Sequence, residues 1–588
     1  MWWNDAVDLP DTPIGIASGK SAPRTAVPAS SGSRLLRRAL AAAAWVLGAV
    51  AGFFAYLRLA RTLAVNSDGA SQALQAWDML HGNVLLRGWT VGDVNFYTTE
   101  LPEYMLVELV RGLNQDVVHV AAALTYTLAV LLAALLAKGT STGLEAAARV
   151  LIAVGIMLAP QLDGGILTVL SSPDHFGTSV PVLLAWLIAD RARPRWYVPV
   201  VTSVILGLAV AADLTAFYIG VLPLVIVCAV RVGRAKAGGQ RLAAQWHDIA
   251  LGAGALAGAA AALFALRILE THGFRAWPAA TSLSPVGTIA QHNLGMTGDG
   301  LLLLGGADFL VWPFGVTAVF IVLHIVGVFI GACGIALAAW RFPRERDLVA
   351  QVLLVGIVIN LAAYLVGTRA GSLADTREIT GVLPFGAALA GRLLGPRLAG
   401  ARLTGTGPAG GGLGGRGLAG RGLAGRGLAG RGLARRFVPA ALVVVLPGYL
   451  AGLGLELTTP TVPAQAQQLA SWLEARHLST GLSGFWPANV VTLTTGQRVN
   501  IRPVRIAGGR VYPNLALQKA DWYNPADTTA NFVVLYPGVA GYPGGLPGYA
   551  GFMDMRTILA VFGKPASTYS VGSSTVLVWN KNILTDLG

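Results

Sequence analysis

The chain has little charge and almost no cysteine. Of its 588 residues only 12% are charged, against 54% apolar, a balance that excludes an ordinary soluble globular domain. Its two cysteines, Cys228 and Cys333, lie far apart inside apolar runs. No CxxC or comparable ligand spacing occurs, so neither a disulfide framework nor a structural zinc site is expected. Both read as small apolar packing residues. Residues 457–588 lack a nucleophile elbow, a glycine-rich phosphate loop and metal-ligand spacing. Acids number 29 against 43 bases, leaving a net charge of +14. That excess does not point to nucleic acid, because the bases lie in connections between apolar segments, where they act as topology signals. Residues 1–38 begin with a Pro-, Ser-, Ala- and Gly-rich stretch and read as a disordered cytoplasmic tail, not a cleavable signal peptide.

What the chain does have is a series of long apolar runs, with a mean hydropathy of +0.60. Lipid requires every backbone polar group to be satisfied internally, so helices are the expected spans, each of about 20 residues. Such runs lie near 39–62, 117–137, 149–165, 175–190, 196–212, 214–230, 249–268, 315–340, 348–366, 380–395 and 437–456. The expected fold class is an α-helical polytopic membrane protein of about eleven transmembrane helices, resident in the cell membrane. Placing the N-terminus in the cytoplasm puts 26 of the 43 Lys and Arg on that side, as the positive-inside rule requires. Residues 39–400 then form the transmembrane domain, with a first outer loop at 65–116. Residues 401–436, containing "GRGLAGRGLAGRGLAGRGLARR", read as a cytoplasmic Gly/Arg repeat linker. Residues 437–456 form the last span. Residues 457–588 read as a small extracytoplasmic α/β domain, with β-rich runs "NVVTLTT", "NFVVLYP" and "TVLVWNK" and one amphipathic helix in "AQAQQLASWLEARHL".

The first outer loop gathers acids and aromatics: Asp68, Asp78, Asp93, Glu100, Glu103, Glu108 and Asp116 with Trp77, Trp89, Phe96, Tyr97 and Tyr104. The spacing of Ala70, Ala73, Leu74 and Trp77 predicts an amphipathic helix over 69–81 lying on the membrane surface. A second helix starts around Pro102. Asp68 has two compatible readings, a helix N-cap and a general base that takes a proton from an attacking hydroxyl. Asp163, in "QLDGGI", reads as a turn residue. Asp213 falls between two short apolar runs, and an acid at membrane depth is costly unless it lines a protein or water cavity. His175 reads as a metal ligand, a proton relay or a helix-start residue. His272, His292 and Asp299 read as solvated loop residues. Tyr97 and Trp89 are candidates for stacking on a sugar face, although aromatics are common at membrane interfaces.

Three stretches, "AWDMLHGNVLLRGW" following Asp68, "FYTTELPEYMLVELVRGL" and "SSPDHFGTSVPVLLAWLIADR", together with "ADTREITGVLPFGAALAG", resemble the GT-C superfamily of membrane glycosyltransferases. The likeness is to the protein O-mannosyltransferase and aminoarabinose-transferase type, and as an architecture it covers most of 39–588. The resemblance implies an inverting transferase that moves a sugar from a polyprenyl-phosphate carrier to an extracytoplasmic acceptor hydroxyl, on a protein, a cell-wall glycan or a lipid. It implies Asp68 as catalytic base, Asp174 with His175 as a second acidic site, and Arg377 as a contact for the donor phosphate. This chain departs from the pattern at Glu100, where relatives carry a lysine. Phosphate binding then falls to Arg87, Arg369 or Arg377, or to a divalent cation (Mg or Mn) held by Glu100, Asp174 or His175. The Ala, Gly, Arg and Leu bias points to a GC-rich bacterial genome of actinobacterial kind. Two other readings stay open: a membrane scaffold presenting the C-terminal domain, and a lipid or glycan transporter, whose usual sign, an internal repeat with acids at the bilayer midplane, is not seen.

Overall fold

The computed structural model describes residues 31–158, 164–277, 282–308, 316–403, 445–462, 466–536 and 553–588. The chain divides into two units, Met1–Val50 and Ala51–Gly588. In the first, the described residues are helical and belong to the helix Ser31–Ala60, with Leu36, Leu40, Val46, Leu47 and Val50 exposed. An exposed flank of that kind suits lipid. The tail residues before 31, the Asp163 turn and most of the Gly/Arg repeat lie outside the described residues.

Six helices among the described residues are long and apolar enough to cross a membrane: Ala39–Ala60, Asp116–Lys138, Phe217–Ala237, Leu242–His272, Ala318–Arg341 and Leu348–Val366. A seventh is added if Leu373–Ile379 and Val382–Ala399, bent by 51°, count as one span. Eleven were expected. The shortfall has a geometric cause. The runs at 149–165, 175–190 and 196–212 fold as Gly143–Met157, as Asp174–Gly177 followed by Ser179–Arg191, and as Tyr197–Ala212. Helices of 13 to 16 residues reach only about 20–24 Å at 1.5 Å per residue, short of a hydrocarbon core of about 30 Å. Of the run at 437–456, residues 445–456 are helical and the rest lie outside the described residues.

The segment after residue 466 builds a six-stranded mixed sheet in the order Arg510–Pro513, Asn500–Ala507, Thr480–Ser483, Phe532–Leu535, Ser574–Val578, Ser567–Val571. Thr480–Ser483 runs parallel to both neighbours and the other pairings are antiparallel. Successive side chains on a strand point to opposite faces. Val533 therefore enters one core with Leu482, Val504, Ile558 and Phe562, while Phe532 and Val534 enter another with Leu473, Val491 and Val576. Two of the three β-rich runs are strands. The third, "NVVTLTT", belongs instead to the helix Phe485–Thr494. Its threonines donate back to carbonyls one turn earlier, Thr492 to Ala488 at 3.1 Å and Thr494 to Val490 at 2.7 Å. Burial of Val490, Val491 and Leu493 outweighs their β-propensity.

This domain is sewn to the first loop. Strand Trp89–Val91 pairs in parallel with Arg275–Ala276 and antiparallel with Gln518–Lys519. The loop helix is Ser67–Leu80, close to the expected 69–81. It does not lie bare on a membrane surface: Ala70, Ala73 and Leu74 pack in one core with Leu101 and Tyr104 of the helix Glu100–Arg111 and with Val490 and Leu493. The Asn489 amide donates to the hydroxyls of Ser67 and Ser71 at 2.8 and 2.7 Å.

Candidate functional site

Asn66, not Asp68, caps the loop helix: its side-chain oxygen accepts from the Gly69 amide at 2.7 Å. Asp68 sits in the first turn with its carboxylate released from capping, where the positive end of the helix dipole favours a negative charge. The helix start lies tight against its neighbours, since a Cβ at Gly69 would come within 2.8 Å of Val118 and 3.1 Å of Ser172. That packing brings the turn carrying Asp174 close to Asp68.

Arg377 reaches the other side of Asp68, with Nη1 to Oδ2 at 3.4 Å. It projects from the short helix Leu373–Ile379, whose start is fixed by a reciprocal capping box between Ser372 and Asp375. Asp68 keeps 22% of its side chain exposed. Its carboxyl is nonetheless held above the usual aspartate range. Burial is the main cause and the nearby Asp174 and Asp93 add to it, against the opposing pull of Arg377.

Asp174 and His175 diverge from one strained position. Asp174 has φ of +37°, uncommon for a residue other than glycine. Its carboxylate turns toward the loop helix and accepts from Gln72 at 2.9 Å and Ser172 at 2.6 Å. His175 turns the other way. Its Nδ1 lies 3.1 Å from Asp213 Oδ2 and its Nε2 3.5 Å from Glu378 Oε1. Thr178 and the Thr215 amide also donate to Asp213, at 2.6 and 2.8 Å. Burial opposes a charge on the imidazole, but Glu378 and Asp213 outweigh it and push His175 up to about 9. Burial likewise opposes ionisation of Asp213, yet His175, Thr178 and Thr215 hold it below the ordinary range. Arg369 pairs with Asp93 and lies 3.7 Å from Glu378.

The structure thus brings together Asp68, Asp174, His175, Arg377 and Arg369. The other expected residues sit apart from this group. Glu100 is 1% exposed and receives a hydrogen bond from Thr99. Its carboxyl lies directly over Gly177, where a Cβ would come within 2.1 Å of Oε1. Burial, with Asp213 and Glu103 adding, pushes it well above the glutamate range despite Thr99. Arg87 is exposed and donates to the His272 carbonyl at 3.3 Å. Trp89 is 1% exposed, donates its indole N–H to Asp78 at 2.7 Å and meets Trp522 edge-on, which leaves no ring face for a sugar. Tyr97 bonds the Val84 carbonyl at 2.9 Å and tilts against Phe274. Asp174, Glu100 and His175 do not converge on a common point. Among the described residues no three His, Cys, Asp or Glu side chains are placed to hold a metal ion.

Glu378, Asp93 and Asn66 complete the site without having been singled out in the sequence. Glu378 adjoins Arg377 in "DTREIT", a charge pair that marks the segment. Asp93 and Asn66 carry no local signal that sets them apart from solvated or capping residues.

No family model and no curated protein matches the sequence. Solved structures do match. ArnT from Cupriavidus metallidurans bound to undecaprenyl phosphate is similar with a TM-score of 0.50 at 13% identity, over 95% of this chain and 100% of that one. Its apo state gives 0.49 at 16% identity, over 93% and 99%. The archaeal oligosaccharyltransferase AglB from Archaeoglobus fulgidus, in complex with an inhibitory peptide and a dolichol-phosphate, gives 0.43 at 12% identity, over 83% and 69%. At such identities the likeness is one of fold alone: the chain shares the overall fold of ArnT.

Proposed function

We propose that the chain is an inverting membrane glycosyltransferase. It moves a sugar from a polyprenyl-phosphate carrier to a hydroxyl of a protein, cell-wall glycan or lipid on the extracytoplasmic side of the cell membrane. The observation that carries this reading is the pairing of Asp68 with Arg377 at 3.4 Å, an accessible carboxylate of raised basicity beside a guanidinium. The fold shared with a protein bound to undecaprenyl phosphate supports the choice of donor. In the ligand-free pair, Arg377 occupies Asp68. A lipid phosphate would draw the guanidinium to itself, since Arg binds phosphate through paired N–H groups. Asp68 is then free to take the proton of the acceptor hydroxyl. The acceptor oxygen attacks the anomeric carbon, and the carbon–oxygen bond to the phosphate breaks. Its electron pair leaves with the lipid phosphate, whose charge Arg377 and Arg369 offset. The N-terminus and the Gly/Arg linker lie in the cytoplasm on this reading, following the distribution of Lys and Arg.

The test is complementation of a deletion strain with wild type or Asp68→Asn at matched membrane levels, scoring sugars of the wall, lipids and secreted proteins. Asp68→Asn should fail to restore the missing glycan, because losing a general base costs roughly 100- to 10,000-fold in rate. Full restoration would sink the transferase reading and favour a scaffold that presents the C-terminal domain.

A further inference from the structure

We propose that His175 is a positioning residue: held between Asp213 and Glu378, it offsets the charge of Glu378 and so weakens that acid's hold on Arg369 and Arg377, which then bind the phosphate of a lipid carrier. The inference rests on the transferase reading and assigns the phosphate subsite within it.

Geometry carries the argument. The charged groups form a line, Asp93 to Arg369, Arg369 to Glu378, Glu378 to His175, His175 to Asp213, with contacts of 3.7, 3.5 and 3.1 Å along the last three. The line joins the first loop, the segment before the bent helix, the Asp174–Gly177 turn and the end of the helix Tyr197–Ala212. Nδ1 of His175 hydrogen-bonds Asp213 and Nε2 lies 3.5 Å from Glu378, and two flanking carboxylates favour the protonated, positively charged imidazole. It is almost enclosed, with 10% of its side chain exposed. The edge of Phe96 closes its remaining side.

Consider the carboxylates that face the two arginines. Arg377 is in reach of Asp68, Asp174, Glu378 and Asp375, and Arg369 is in reach of Asp93 and Glu378. Two guanidiniums among five carboxylates are poorly placed to receive an anion. Glu378 is the one acid shared by both, and it is the one that His175 takes up. Removing the imidazolium returns a full negative charge to both arginines. It also leaves Asp213 buried with only Thr178 and the Thr215 amide as donors, although Asp213 touches neither arginine. His175 need not contact the lipid to act in this way.

The test is binding of undecaprenyl phosphate to the full chain in nanodiscs, for wild type, His175→Gln, Glu378→Gln and the double variant. His175→Gln should weaken binding by roughly tenfold, the size of one lost charge interaction in a partly screened site. The double variant should recover most of that loss, because the acid left uncompensated is gone. In turnover, His175→Gln should raise KM for the donor and lower kcat, since the arginines hold the bound phosphate and offset the charge it gains on leaving, and the double variant should recover both. A merely structural role would give a double variant as weak as or weaker than His175→Gln, and that result overturns the proposal. Unchanged binding by His175→Gln overturns it too. If wild type itself does not bind undecaprenyl phosphate, the transferase reading falls and this inference falls with it.

Discussion

Asp68 shows how a single position gains chemistry from what its neighbours already do. Asn66 takes over the cap, Arg377 holds the carboxylate, and burial beside Asp174 and Asp93 raises its proton affinity. The sign of the pH effect follows directly. A base works only when unprotonated, and its raised value moves the acid limb of activity upward. Turnover should therefore fall on acidification at a pH above the ordinary aspartate value of about 3.9. A pH profile of kcat/KM checks this, and Arg377→Gln should move the limb further up by removing the opposing cation. At this scale the sequence was informative where a residue stands out locally. Asp68 stands out by its position after a span and His175 at a turn, while Asp174 and Arg377 were marked by the family resemblance. Glu378 and Asp93 acquire their roles through His175 and Arg369, the latter 276 positions from Asp93, which no local spacing displays, while the Asn66 cap is a bond to Gly69 three positions on. Arg87 and Trp89 have the right chemistry in the wrong place: folding turns the first outward and buries the second.

The helix Glu100–Arg111 raises a different matter. Leu106, Leu109 and Val110 are exposed, while Glu103 and Glu108 are turned into the protein beside Tyr104. One oxygen of Glu103, both oxygens of Glu108 and the Tyr104 hydroxyl are buried without a protein partner among the described residues. Burial pushes Glu103 up to about 8, against the hydroxyl of Thr125, and Glu108 up to about 9. Both are neutral in the folded chain at pH 7. A carboxyl raised on folding stabilises most at low pH, and the contribution is lost as pH rises from the unfolded value toward the folded one. The packing of this helix should therefore weaken between about pH 4.5 and 9. Amide protection of residues 100–111, measured against the base-catalysed rise of intrinsic exchange with pH, should fall across that window, and Glu103→Gln with Glu108→Gln should flatten the response. A flat profile in wild type would show that the acids stay ionised. The helix itself was legible from its Pro start and apolar spacing. Its inward acids were not, because charge alone suggests a solvated face.

For the whole molecule, the notable arrangement is the union of the first loop with the C-terminal sheet. Asn489 binds the two serines of the loop helix and itself accepts from Gln518 at 3.0 Å. The Lys519 ammonium reaches Asp78 at 3.4 Å. Asn489→Leu leaves two buried serine hydroxyls short of a partner, at a cost of about 1–3 kcal/mol. It should loosen the helix that carries Asp68 and reduce turnover, with the site residues themselves untouched. Limited proteolysis of the loop, compared with wild type, would report the loosening, and an unchanged digestion pattern would rule it out. The sequence made the class of fold legible through apolar run length, basic connections and a change of character after residue 457. Among the described residues fewer helices are long enough to span than there are apolar runs, because hydropathy marks a segment as apolar without stating how much of it is one straight helix. The sequence also did not reveal that the last domain closes over the first loop, a contact with no local signature.

That closure has a consequence in time. The Asn489–Ser67 bond joins residues 422 positions apart, and a ribosome adding about 5–20 residues per second needs roughly 20 to 80 seconds to make the intervening chain. Throughout that interval the loop bearing Asp68 lacks the Asn489 donor to its serines, and its short strand lacks Gln518–Lys519. The Asn489 contact can form only after the chain between has been made, so a product that stops before residue 489 carries Asp68 without that part of its frame.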